Sequence, residues 1–136
     1  MKKYVAAYVA STLAMIALDS IWLTLVAHDY YQTAIGHLMA PKPDMGAAAA
    51  FYVLYILGTL IFAVAPALKI GKWTTAASLG GLFGFFNYMT YDLTNLATLR
   101  DWPVTMVFID ILWGIFITAC AATAGYLGAS AISKRA

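Results

Sequence analysis

The sequence predicts an all-α polytopic membrane protein, a single bundle of four transmembrane helices with both termini in the cytoplasm. Three observations predict it. The 136-residue chain is 63% hydrophobic and only 10% charged, whereas a water-soluble domain carries about 25% charged residues. With so little charge, lipid must be the solvent over most of its surface. Four apolar stretches, near residues 4–27, 45–68, 74–99 and 103–128, each reach the roughly 20 residues needed to cross a bilayer as a helix. The eight basic residues lie at the ends of these stretches and none inside one.

The elements follow in order. Lys2 and Lys3 precede the first apolar run, which is too long for a secretory signal and is followed by no small-x-small cleavage site, so it reads as a retained anchor. Pro41-Lys42-Pro43-Asp44 breaks the chain, and Asp44 is placed to cap the second helix. Pro66 and Gly71 are expected to end that helix and Thr74 to cap the third. Asp101-Trp102-Pro103 is a short turn, with Asp101 expected to cap the fourth helix and Pro103 to lie in its first turn.

Orientation comes from basic residues in short loops. Lys2, Lys3, Lys69, Lys72, Lys134 and Arg135 fall at the two termini and in the second connection, against Lys42 and Arg100 in the first and third. That bias puts both termini inside a bacterial-type inner membrane and the segment near 28–44 outside. Tyr4, Tyr30, Tyr31, Trp73, Trp102 and Tyr126 sit near helix ends, as an interfacial aromatic belt requires.

Several function classes are excluded. The net charge of +2 is spread over helix ends and makes no phosphate-binding patch, so no nucleic acid is expected. The single Cys120 allows neither an intramolecular disulfide nor a cysteine-rich metal site. No nucleotide loop, activated nucleophile or zinc-protease motif is present, and no cofactor is implied. His28, His37 and Asp19 match no ligand spacing, and Asp19 lies deep below His28, so no metal is expected.

The chemistry lies in the carboxylates. The chain has six aspartates and no glutamate, and Asp19, Asp92 and Asp110 fall inside apolar stretches. At about 1.5 Å per residue, all three lie roughly 10–12 Å below the outer surface. Asn87, Tyr91 and Asn95 recur every fourth residue and share a helix face, flanked by Tyr88 and Asp92. Tyr52 and Tyr55 fall at a similar depth, and Trp22 and Trp113 each follow an aspartate by three residues. These eleven residues form the candidate ligand-binding set in the outer half of the bilayer. The opposing reading is that they only join helices. A hydrogen bond between helices in a membrane returns about 0.6 kcal/mol, whereas a carboxylate at membrane depth costs roughly 2.5–3.5 kcal/mol. Helix joining therefore explains one asparagine better than three aspartates.

Small residues mark the other half. Ala6, Ala7, Ala10, Ala14 and Ala17 line the first helix, Gly80, Gly81 and Gly84 open the third, and Gly114, Thr118, Ala121, Ala122 and Gly125 close the fourth. Such faces let backbones approach closely, within one chain or between two copies.

The segments Ala17-Leu18-Asp19-Ser20-Ile21-Trp22-Leu23, Gly84-Phe85-Phe86 through Tyr91-Asp92-Leu93-Thr94-Asn95-Leu96-Ala97-Thr98, Trp102-Pro103, and Asp110-Ile111-Leu112-Trp113-Gly114 resemble the bacterial membrane-protein family catalogued as domain of unknown function 2177. The resemblance covers nearly the whole chain. It implies a four-helix membrane protein and brings no activity, substrate or catalytic residue with it. Three functions then compete: a small proton- or cation-coupled transporter, working as a homodimer on a cationic or small-molecule ligand; a membrane-embedded lipid-modifying enzyme; and an accessory or scaffold subunit.

Overall fold

The computed structural model describes residues 1–133. Lys134 and Arg135, two of the charges used to orient the chain, lie outside the described residues. Helix α1 (Lys2–Ile21) widens into a π turn (Trp22–Val26) and leads into the short α2 (His28–Ile35) and a 3-10 turn (Gly36–Leu38). A long rod follows, made of α3 (Met45–Thr59), a π turn (Leu60–Val64) and α4 (Ala65–Ile70). The chain ends with α5 (Trp73–Thr98) and α6 (Val104–Ser133).

Among the described residues three helical runs are long and apolar enough to cross a membrane: Lys2–Val26, Met45–Ile70 and Val104–Ser133. The expected fourth crossing, over 74–99, is not among them, and the four-span reading is corrected to three. Its helix α5 is long enough, at 26 residues. Its second half, however, carries Asn87, Thr90, Asp92, Thr94, Asn95 and Thr98, which take it below the apolar content of the other three. The low charge of the chain hid this, because most of these residues are polar without being charged. Helices α1 and α6 run antiparallel, with Ala6, Ala7, Ala10 and Ser11 lying against Ala121, Gly125 and Gly128, so the two ends of the described chain share one end of the bundle.

The helix ends follow local chemistry, not always as expected. Asp44 caps α3, its Oδ1 accepting from the Gly46 and Ala47 N–H groups at 2.8 and 3.0 Å. Gly71 ends α4 in the left-handed conformation, at φ 78°, where a side chain would be strained. Pro66 does not end the rod but sits in the first turn of α4. Proline has no N–H and its ring would press on the carbonyl of Phe62; the π turn just before it widens the backbone there, and the rod continues. Thr74 lies inside the first turn of α5, and the flanking Lys72 makes no side-chain cap. Asp101 takes a left-handed turn at φ 60° rather than capping α6, and Pro103 directly precedes the first helical residue.

Packing centres on α6, which runs along both α5 and α1. On α1 the buried residues are Ala7, Ser11, Met15 and Asp19, one every fourth position, while Val5, Val9, Leu13 and Ile16 face outward. Such an outward apolar stripe suits lipid. The small residues explain how α5 and α6 approach: Gly80, Gly81, Gly84, Gly114, Thr118, Ala121 and Ala122 are all buried. A Cβ at Gly84 would strike the Gly114 carbonyl and the Thr118 hydroxyl, and one at Gly114 would strike the Tyr88 ring. By contrast Ala17, expected on the packed face, is exposed. Gly84→Ala must therefore push the two backbones apart, at the about 1–3 kcal/mol typical of overpacking. A thermal melt of the purified protein in detergent is expected to fall accordingly, with Gly36→Ala, where a Cβ meets only the Gln32 side chain at an ordinary 3.5 Å, leaving it unchanged.

Candidate functional site

At one end of the bundle two aspartates are held by aromatic donors. Asp19 ends the buried stripe of α1 and is 6% exposed. Its Oδ2 accepts from the Tyr52 hydroxyl at 2.9 Å, and its Oδ1 from the Trp113 indole N–H at 3.2 Å. Asp110, on α6, is 7% exposed, and its Oδ1 accepts from the Tyr31 hydroxyl at 2.6 Å. That hydroxyl in turn accepts from the Trp22 indole N–H at 3.1 Å. A donor that also accepts is polarised along the chain, which strengthens its bond to the carboxylate.

The two halves meet in a ring stack. Trp22 and Trp113 lie 4.3 Å apart and within 9° of parallel. The sequence Asp19-Ser20-Ile21-Trp22 recurs as Asp110-Ile111-Leu112-Trp113 on a helix running the other way. Opposed direction is what a local two-fold axis between antiparallel helices requires. Each tryptophan reaches toward the other helix's aspartate: Trp113 binds Asp19 directly, and Trp22 reaches Asp110 through Tyr31.

Asp92 differs. It is fully buried on α5, and no protein group hydrogen-bonds either of its oxygens. The charge of Asp110 acts on it, and the Trp102 indole lies beside it. Among the described residues no lysine, arginine or histidine acts on any of the three carboxyls. Leaving a buried polar group unsatisfied costs about 1–3 kcal/mol, more if it is charged. Among the described residues no group of three His, Cys, Asp or Glu side chains is placed to hold a metal ion.

The remaining candidates lie apart from the acids. A cleft of about 630 Å3 opens between α3 and α5, lined by Phe51, Leu54, Tyr55, Phe83, Asn87, Tyr88 and Tyr91. Tyr55, Asn87, Tyr88 and Tyr91 of the expected set thus share one cavity, and none of the three aspartates lines it. The acid-lined chamber expected from depth alone is not this cleft, because all three carboxyls are buried while the Asn87 and Tyr91 side of α5 is exposed. The Tyr55 hydroxyl pairs with the Thr118 hydroxyl at 2.8 Å, and Asn87 donates back to the Phe83 carbonyl at 2.7 Å. Asn95 is half-buried one turn beyond Tyr91.

Two residues escaped the sequence reading. Tyr31 and Trp102 were assigned to the interface belt, yet Tyr31 holds Asp110 and Trp102 is buried. The segment near 28–44 was read as a connection, but its first eight residues form α2. The available signal was Tyr31 and Ile35, one turn apart, which both pack against the buried Trp102, Met106 and Val107. For the tryptophans the signal was the repeated Asp-x-x-Trp spacing.

A family model described as Predicted membrane protein (DUF2177) matches residues 4–127. No curated protein and no solved structure matches the chain.

Burial, with the Asp110 bond next, holds the Tyr31 phenol well above its ordinary range, so it donates throughout neutral pH. The folded form keeps this proton more tightly than the unfolded chain. Its contribution to stability is therefore full below the unfolded tyrosine pKa of about 10, and is lost as pH rises from there through the folded value. Tyr31→Phe removes the donor and strands an Asp110 oxygen, an expected cost of about 1–3 kcal/mol at neutral pH. Unfolding of both proteins in detergent across pH is expected to show a gap that narrows in strong alkali; a gap constant with pH would contradict the assignment.

Proposed function

The chain belongs to this family of predicted membrane proteins, and on that premise we propose that it is a small proton- or cation-coupled transporter of a bacterial inner membrane. One observation carries the reading: Asp19, Asp92 and Asp110 are buried with no basic side chain acting on them. Carboxyls without a counter-charge in an apolar setting exchange between a protonated form and a form that attracts a cation, and that exchange is the basis of coupling.

In this reading the aspartates are the coupling groups; Tyr52 and Trp113 hold Asp19, and Tyr31, backed by Trp22, holds Asp110. The aromatic cleft takes the cargo. Tyr55, Tyr88 and Tyr91 offer ring faces that attract a cation, and Asn87 supplies an amide group in the lining. Tyr55 and Tyr88 also feel the Asp19 charge, which connects the cleft to the coupling acids. The cleft is open on one side, and a second copy of the chain laid over it completes the enclosure, so the working unit is a homodimer. Reciprocal pairing across antiparallel helices is a local inversion of the kind found on a larger scale in secondary transporters.

Proteoliposomes holding the purified protein, an imposed pH gradient and external ethidium as the cationic probe test the reading. Wild-type protein is expected to accumulate ethidium when the gradient is present. Asp19→Asn and Asp110→Asn are each expected to lower the initial rate at least about tenfold, the factor carried by about 1.4 kcal/mol, in protein whose melting is retained. Uptake that ignores the gradient, or equal rates in the variants, overturns the proposal. So does a change in the lipid profile of expressing cells that the variants abolish without any uptake, which would point to lipid chemistry.

A further inference from the structure

Two polar groups next to the network have no protein partner. Asp92 is fully buried with both oxygens unbonded, and Trp102 is 7% exposed with its indole N–H unbonded. They are neighbours. Trp102 packs edge-on to Tyr91, the residue before Asp92, at 5.8 Å. Leu96, one helical turn beyond Asp92 on the same face of α5, packs against the buried cluster of Trp102, Met106 and Val107. The indole N–H is the one donor that acts on the Asp92 carboxyl, yet it stops short of a hydrogen bond.

The pair selects its ligand by chemistry. Trp102 can only donate, and an ionised Asp92 can only accept. An ammonium or metal cation would satisfy the carboxylate and leave the indole N–H facing a positive charge. A halide would satisfy the indole and repel the carboxylate. The group that answers both accepts from one and donates to the other. Buried water does this routinely where two or more polar partners converge.

We infer that Asp92 and Trp102 together hold one buried water molecule, and that this water is the route by which Asp92 exchanges its proton. The inference deepens the proposed coupling site and rests on that reading for its purpose, not for its test. When Asp92 ionises, its carboxyl O–H bond breaks and the proton passes to the oxygen of the water. The water returns to neutrality by passing one proton to bulk water, which carries it as hydronium, and the remaining carboxylate accepts a hydrogen bond from the buried water. The titratable groups that face Asp92 are Asp110 of α6, Tyr31 of α2 and Tyr91 of its own helix. Both tyrosines stay neutral near pH 7, so Asp110 is the charge that opposes ionisation of Asp92.

Nuclear magnetic resonance of the tryptophan-labelled full chain in lipid nanodiscs tests this without any transport. The chain has four tryptophans, and loss of one indole resonance in Trp102→Phe assigns Trp102. Its indole proton is expected to show direct cross-relaxation with water in the wild-type protein. Its shift is expected to titrate with pH, to stop doing so in Asp92→Asn, and to titrate at lower pH in Asp110→Asn. The other three indole resonances, unmoved in Asp92→Asn, report that this variant has folded; in Asp110→Asn the Trp73 and Trp113 resonances do so, because Trp22 is linked to Asp110 through Tyr31. Absence of direct water contact in the wild-type protein overturns the inference, and that measurement needs no variant. A titration unchanged in folded Asp92→Asn overturns it as well. Failure here leaves ethidium uptake unaffected, and failure of uptake leaves the water contact in place, so the two proposals fall separately.

Discussion

Aromatic hydrogen-bond donors, not cations, hold two of the three buried carboxylates of this protein, and the arrangement of its helices depends on that. Asp19 ties α1 to α3 through Tyr52 and to α6 through Trp113. Asp110 ties α6 to α2 through Tyr31, and Tyr31 to the end of α1 through Trp22. Four elements thus converge on two carboxyls. An indole or phenol suits this task because its ring is buried at a gain while its N–H or O–H meets the acid. A lysine or arginine at the same place would bring a second ion to desolvate.

The same end of the bundle is where the chain departs from uniform packing. Elsewhere α5 and α6 approach through glycines, and a single added methyl at Gly84 meets backbone. Around the acids the spacers are large rings: the stacked Trp22 and Trp113, and Trp102 against Tyr91. Small residues lock one region, and bulky polar-edged residues hold the other open.

Asp92 stands between these regimes. It shares the burial of the other two acids and none of their hydrogen bonds. A sequence scan treats three aspartates at matched depth as equivalent. Their surroundings make them different: two satisfied groups and one that waits for a partner, close enough to Asp110 to feel its charge.

Composition and residue order by themselves determined the helical membrane class, the family resemblance, the Asp44 cap, and the three aspartates as the residues to examine. These rest on local quantities: apolar content, cap chemistry, and the cost of a carboxylate in lipid. The count of crossings was written there too, in the uncharged Asn, Thr and Tyr side chains that lower the apolar content of α5 and that a reading by charge passes over. Residue order could not separate the aspartates from the aromatic cleft, assign Tyr31 to Asp110, or turn the repeated Asp-x-x-Trp into a reciprocal clasp. Those are decided by tertiary structure, for a physical reason: the direction a side chain takes around a helix, and the donor that meets it, depend on neighbours distant in the chain.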